Sequence, residues 1–331
     1  ANSVVLADGT NVPAELVLLS TGVRPNSELA ASAGVALGAS GAILVNPRME
    51  TSVQDIFACG DCVEQFHVVT GKPVYRPLGS TANKTGRIAG DCATGGNLAY
   101  RGTLGTGIFR VLGLCVGQTG LSEREAREAG FDPVVCHSTK PDRPEYLGGK
   151  EMVIKAIADR ATGRLLGVQI VGLAGVDKRI DVFATAITYG AKAEDLFYLD
   201  LAYAPPFATT KDPVMYAGMI LENAIHAGRA LMTAQELMDR QDAGEPVTII
   251  DTRAPAQYAA GHIVGARNIP HAQFREALGS LNPDDTIVTY CNKGVTGNAT
   301  QNILLNRGFR HAYNLSGGMN QYAIVKRNRK R

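Results

Sequence analysis

Six cysteines are spread through 331 residues, and one of them stands where a reactive thiol would. The segment Tyr290-Cys291-Asn292-Lys293-Gly294-Val295-Thr296-Gly297 follows an apolar, strand-like run and precedes a helix-like one. A Cys just beyond the carboxyl end of a parallel strand lies on the edge where such sheets bind ligands. The loop over 292–297 can curl so that its backbone N–H groups converge on the sulfur, with the next helix N-terminus behind them. Gly294 and Gly297 permit the tight backbone this needs. Such a site lowers a thiol pKa and stabilises a thiolate or the terminal sulfur of a persulfide. A buried Cys acting as a small hydrophobe is the competing reading, and for an isolated Cys it is the commoner one.

A second pattern is Cys59-Gly60-Asp61-Cys62, whose spacing matches a thioredoxin-like redox pair. Its middle residues also read as a Gly-Asp turn closing the apolar run over 55–58, where Gly admits close backbone approach and the carboxylate can accept a hydroxyl. No strand-linked G-x-G-x-x-G occurs, so no dinucleotide pyrophosphate loop is expected within these residues. No metal site is expected.

The elements that must hold these groups fall into three stretches. Residues 1–102 carry short strands and Gly-rich turns: a hairpin about Asp8-Gly9, a buried parallel strand over 16–19, a strand over 55–61 and a helix over 80–95. Residues 103–228 read as an α+β module. Strands are expected over 106–116, 152–159 and 165–171, and helices after the capping box Ser122-Glu123-Arg124-Glu125, over 180–189 and over 212–226. A linker at 229–233 leads to residues 234–325, where strands at 247–250 and 286–290 alternate with helices at 234–243 and 299–306, the pattern of a parallel sheet. The basic residues 326–331 are expected to be a solvated tail.

Composition narrows the classes. With 45% hydrophobic residues and a formal net charge of +2, the chain suits a globular α/β protein and gives no reason to expect nucleic acid or an acidic membrane as partner. No apolar run reaches membrane-helix length. Irregular Cys spacing argues against a disulfide framework and for a reducing, cytoplasmic setting. The chain opens within a strand-turn-strand pattern and without an initiator Met, so a preceding segment is expected.

Several stretches resemble known families. Ile250-Asp251-Thr252-Arg253, Tyr258, Gly261-His262-Ile263, Gly265-Ala266-Arg267-Asn268-Ile269-Pro270, Tyr290-Cys291, Gly308-Phe309 and Leu315-Ser316-Gly317-Gly318 together resemble the rhodaneses. The resemblance implies sulfane-sulfur transfer through a persulfide on Cys291, with 292–297 as its loop. It also implies structural roles for His262 and for the pair Asp251 and Arg253. Many rhodaneses carry Arg where Thr296 stands here. Without that fork of donors a thiol persulfide suits the site better than thiosulfate, although Lys293 could supply charge.

Residues 1–228 resemble the pyridine nucleotide-disulfide reductases, especially the coenzyme A-disulfide reductase and NADH oxidase branch. The motifs are Ser20-Thr21-Gly22-Val23-Arg24-Pro25-Asn26, residues 55–61, Pro77-Leu78-Gly79-Ser80-Thr81-Ala82-Asn83-Lys84, Thr119-Gly120-Leu121-Ser122-Glu123 and Ala202-Tyr203-Ala204-Pro205-Pro206-Phe207. The resemblance implies part of an FAD-binding domain, an α+β dimerisation domain and a homodimer. Gly60 and Asp61 would approach the FAD ribityl chain, and Pro77, Leu78, Ala82 and Asn83 would lie beside the isoalloxazine. Cys59 and Cys62 are then not required by the chemistry. Tyr203 and Tyr146 match tyrosines that reach into a partner's active site, although Glu145-Tyr146-Leu147-Gly148 is an imperfect match. The implied cosubstrate is NAD(P)H. The implied partners are coenzyme A disulfide, coenzyme A persulfide or another small thiol persulfide. An NADH oxidase or peroxidase-type flavoprotein, or a non-catalytic sulfur-carrier and dimerisation module, are the alternatives.

Overall fold

The structure, a computed structural model, describes residues 2–329. The chain divides into two compact units, one of residues 1–65 with 73–101 and the other of residues 66–72 with 102–331.

In the first unit, Ser3–Val5 (β1) and Asn11–Pro13 (β2) form the expected antiparallel hairpin, with Val4 opposite Val12. Two other expectations fail. The run over 16–19 is not a buried strand: Leu16 is 88% and Leu18 85% exposed. A parallel strand is apolar throughout because neighbours cover it on all sides, and among the described residues no strand pairs with this run. The stretch over 55–61 makes only an isolated bridge, Phe57 to Glu50, before a 3-10 turn at Gly60–Cys62. Asp55 enters the left-handed region at φ 64°, which breaks an extended run. The helix Gly79–Ala93 (α1) forms close to its expected span. Thr81, Thr85, Ile88, Ala89 and Cys92 make its buried stripe, and the last three pack in a core with Met49 and Val63.

The second unit opens with an antiparallel sheet. The single strand expected over 106–116 is a hairpin of Gly107–Val111 (β3) and Leu114–Gly120 (β4). Leu112 at φ 49° and Gly113 at φ 80° turn the chain back. Ser122 and Glu125 exchange the hydrogen bonds of the capping box that starts Glu123–Glu128 (α2). Pro133–Pro141 (β5) is an element the sequence did not announce, and it carries a proline at each end, a residue type that strands disfavour. The prolines are tolerated since β5 is an edge strand. With Glu151–Asp159 (β6) and Leu165–Gly172 (β7) the order is β3-β4-β7-β6-β5. Val176–Thr188 (α3) and Pro213–Ile225 (α4) pack on this sheet. Gly117 of β4 permits the approach of α3, since a Cβ there would lie 2.5 Å from Ile180 Cγ1. Arg179 and Asp212 form an ion pair at 2.8 Å with side chains 2% and 3% exposed. Asp212 also caps α4 through the Val214 N–H, and Arg179 donates to the Asp142 carbonyl. Those extra bonds satisfy charges that burial would otherwise leave costly.

A parallel sheet completes the unit in the order Leu231–Met232 (β8), Ala312–Leu315 (β12), Ile287–Tyr290 (β11), Thr248–Asp251 (β9) and Arg267–Asn268 (β10). Ala234–Asp242 (α5) and Val295–Asn306 (α6) connect strands, and α6 starts earlier than expected, immediately after the loop of interest. The segment expected as a basic tail is helical through Arg329. It ends Gly318–Arg329 (α7), and Arg329 pairs with Asp239 at 2.7 Å and Asp242 at 3.0 Å. Lys330 and Arg331 lie outside the described residues. Among the described residues no helix is long and apolar enough to cross a membrane.

Candidate active site around Cys291

Strand β11 is buried along its whole length and pairs with β9 on one side and β12 on the other. It therefore delivers Cys291 to the carboxyl edge of the sheet with little freedom. The thiol is 8% exposed. Gly294 takes φ 92° and opens α6, a conformation that strains any residue with a Cβ. Its N–H donates to Cys291 Sγ at 3.2 Å. The carbonyls of the loop are engaged elsewhere: Met319 N–H donates to the Cys291 carbonyl at 2.8 Å and Asn320 N–H to the Asn292 carbonyl at 3.1 Å. With its oxygens held by the start of α7, the loop turns its N–H groups toward the sulfur. A close turn makes this possible, since a Cβ on Gly318 would lie 2.2 Å from the Cys291 carbonyl oxygen.

The electrostatic result follows from the donors. Burial pushes the Cys291 thiol up, but the Thr296 hydroxyl and the N–H groups of Gly297, Lys293 and Thr296 outweigh it, so the thiol ionises below its ordinary value. By contrast, burial pushes the Cys62 thiol up, and its Sγ donates to the Cys59 carbonyl at 3.3 Å, a poor setting for a thiolate.

Around the loop, Asp251 and Arg253 form a buried pair at 2.6 Å, and Arg253 Nη1 donates to the Asn292 side chain at 3.2 Å. Arg253 thus braces the loop from outside, in a supporting place. His262 is exposed and stacks on the Tyr258 ring at 3.9 Å, with Nδ1 3.1 Å from the Tyr258 carbonyl oxygen. Lys293 forms an ion pair with Glu151 of β6, so its charge is partly spent there. Val295 is 59% exposed beside the loop. From the sequence, Thr296 stands where many rhodaneses carry an arginine. Its hydroxyl is instead within 3.1 Å of the Thr252 hydroxyl and is a donor to the sulfur. The signal for this role in the sequence is a hydroxyl residue within the loop itself.

The flavin-facing candidates belong to the first unit. Gly60 has φ 83°, and its N–H donates to Thr85 Oγ1 of α1 at 3.1 Å. A Cβ on Gly60 would sit 3.9 Å from Ala82 Cβ. The Gly60-Asp61 turn and the first turn of α1, with Ala82 and Asn83, are therefore brought together, and the Asp61 carboxylate is exposed beside them. Pro77 and Leu78 lead directly into α1, whose first-turn N–H groups include Ala82 N–H bonded to the Leu78 carbonyl at 2.9 Å. Tyr146, on the 3-10 turn Glu145–Leu147, is 78% exposed, and Tyr203 is 49% exposed. Neither is among the groups that surround Cys291.

Three family models match stretches of the chain. The family model described as pyridine nucleotide-disulphide oxidoreductase matches residues 1–82, its dimerisation domain matches residues 109–213, and the rhodanese-like domain matches residues 233–324. The chain thus carries pyridine nucleotide-disulphide oxidoreductase domains fused to a rhodanese-like domain. Its fold joins α/β and α+β parts accordingly. It is 43% identical over 219 residues to a CoA-dependent NAD(P)H sulfur oxidoreductase of Pyrococcus furiosus, an alignment covering 66% of this chain and 49% of that protein. The chain spans about half the length of the curated relatives it matches. The reduced Bacillus anthracis CoADR-RHD structure superposes with TM-score 0.92 at 33% identity, covering 99% of this chain and 59% of that one. An NAD-dependent persulfide reductase from A. fulgidus gives 0.84 at 36% identity, covering 96% and 58%.

Proposed function

We propose that this oxidoreductase handles sulfane sulfur as part of an FAD-dependent, NAD(P)H-linked coenzyme A-disulfide or persulfide reductase, with Cys291 carrying the sulfur. The observation that carries the reading is the ring of donors around Cys291 Sγ, which holds negative charge on sulfur although the thiol is buried. Its similarity to the Pyrococcus furiosus NAD(P)H sulfur oxidoreductase and to the A. fulgidus persulfide reductase supports it.

The residues present fit one edge of an FAD site. Gly60 leaves the turn beside α1 free of a side chain, and the exposed Asp61 carboxylate can accept a ribityl hydroxyl. Pro77, Leu78, Ala82 and Asn83 would border the ring. Bound there, the flavin supplies two-electron exchange between nicotinamide and sulfur. Tyr146 and Tyr203 would act across a homodimer, where a phenol can donate to a thiolate. The exposure of both, together with Phe207 at 72%, fits a surface that a second copy covers. The six unpaired cysteines suit the cytoplasm.

The test is mass spectrometry of the full chain after treatment with coenzyme A persulfide. One added sulfur is expected on the peptide containing Cys291, lost in Cys291→Ser and kept in Cys59→Ser and Cys62→Ser. Sulfur on another cysteine, or normal loading of Cys291→Ser, refutes the reading.

A further inference from the structure

The Cys291 loop forms one wall of a cavity of about 230 Å³, and the opposite wall belongs to the dimerisation module. Lys293 and Gly294 of the loop face Ser138 and Lys140 of β5 and Tyr216 of α4, with Arg229 nearby. Among the described residues three cations line this space and no carboxylate does. Two of the cations are already engaged: Lys293 pairs with Glu151, and Arg229 donates to the Asn223 side chain at 2.7 Å.

Lys140 is different. Its ammonium sits 3.7 Å from the centre of the Tyr216 ring, which Lys211 also approaches at 5.4 Å, and no carboxylate pairs with it among the described residues. Burial, then Lys293 and Lys211, hold its ammonium below the ordinary amine range, while the Cys291 thiolate acts in the opposite sense. A half-buried cation among like charges is costly unless an anion joins it. An independent feature points the same way. Ser138, 2% exposed and on the same wall, has a hydroxyl with no hydrogen-bond partner. A buried polar group left unpaired in this way marks a place for a polar ligand.

We propose that this cavity selects anionic small-molecule sulfur donors for Cys291, with Lys140 of the dimerisation module holding the donor's carboxylate or phosphate and Ser138 hydrogen-bonding it. The inference rests on the persulfide role of Cys291 given above. It makes the rhodanese-like site a composite, because its specificity cation comes from another domain. The volume is below the roughly 300–1,000 Å³ of drug-sized ligand sites, so it takes a small thiol persulfide or the reactive end of a longer one. In the transfer, the Cys291 thiolate attacks the outer sulfur of R–S–SH. The R–S to S bond breaks, the leaving thiolate takes that sulfur's proton as R–SH, and Cys291 keeps the persulfide anion. No net oxidation or reduction occurs.

Alkylation of Cys291 separates the charge of the cavity from sulfur transfer. The full chain is treated with iodoacetate or iodoacetamide at a pH above the ionisation midpoint of Cys291, and the modified peptide is quantified by mass spectrometry. The iodoacetate to iodoacetamide rate ratio should exceed that of free cysteine by about fivefold at low salt, the order expected for one partly screened cation. Lys140→Met should lower the ratio about threefold while changing the iodoacetamide rate less than twofold, and Lys140→Arg should restore it. A ratio equal to that of free cysteine, or one unmoved by Lys140→Met, overturns the proposal. Loading is then measured with coenzyme A persulfide, glutathione persulfide and the uncharged persulfide of 2-mercaptoethanol. Lys140→Met should raise the half-saturating concentration of the two anionic donors and leave the neutral one unchanged. The donor with the larger shift identifies whether phosphate or carboxylate is bound, and equal shifts for all three overturn the selection. If no donor loads Cys291 while the alkylation ratio still follows Lys140, the persulfide reading fails and anion selection by the cavity stands.

Discussion

Replacing Thr296 by Val exchanges its hydroxyl for a methyl group of nearly the same size. The Thr296 hydroxyl is a donor to Cys291 Sγ and lies 3.1 Å from the Thr252 hydroxyl. Thr252 keeps its bond to the Tyr290 carbonyl at 2.9 Å, so the substitution leaves no new buried group unpaired. A hydrogen bond to a charged group contributes about 1.5–3 kcal/mol. At about 1.4 kcal/mol per pKa unit, its loss should raise the Cys291 midpoint by about one to two units. The backbone donors from Gly294 and Gly297 remain, so the thiol should still be alkylated once ionised. The assay is the pH dependence of iodoacetamide alkylation at Cys291, followed on its peptide. Thr296→Ser retains the hydroxyl and should titrate near the parent. An unchanged midpoint in Thr296→Val would show that the side chain does not stabilise the thiolate, and that the backbone alone sets its acidity.

Two further outcomes follow from packing and titration. In Gly297→Ala the added Cβ would lie 2.5 Å from Asn314 Oδ1, and the Asn314 amide holds the Gly294 carbonyl at 3.2 Å. The strain should cost about 1–3 kcal/mol and lower the unfolding midpoint of the rhodanese-like domain, whereas an identical melting curve would contradict the packing seen here. His137 joins β5 to the Gly317 turn, its N–H donating to Ser316 Oγ at 2.7 Å. Burial, with Lys155 beside it, holds its ring down to about 4 from 6.5. The unfolded chain therefore takes up a proton near pH 6.5 that the folded chain refuses, and stability is lost as pH falls from 6.5 to 4 and levels off below that, by about 3 kcal/mol in all. Urea unfolding at pH 7.5 and 4.5 should show the loss in the parent and a smaller one in His137→Asn. An equal loss in both would assign the pH response to other groups.

What could be read from the sequence was local chemistry. A strand, a Cys, two spaced glycines and a helix start sufficed to place Cys291 at a sheet edge, because each feature acts through backbone conformation within a few residues. The capping box at Ser122, the helices over 79–93 and 213–225 and the parallel strands at 248–251 and 287–290 were legible for the same reason. The runs over 16–19 and 55–61 misled, since apolar composition says that a segment seeks cover but not whether cover is present, and one left-handed residue at Asp55 outweighs it. The edge strand Pro133–Pro141, with a proline at each end, was not announced, and with it went Ser138 and Lys140. Only the tertiary structure could bring Lys140 into the cavity shared with Lys293, more than 150 positions later, because charges act through space while sequence patterns record only neighbours along the chain.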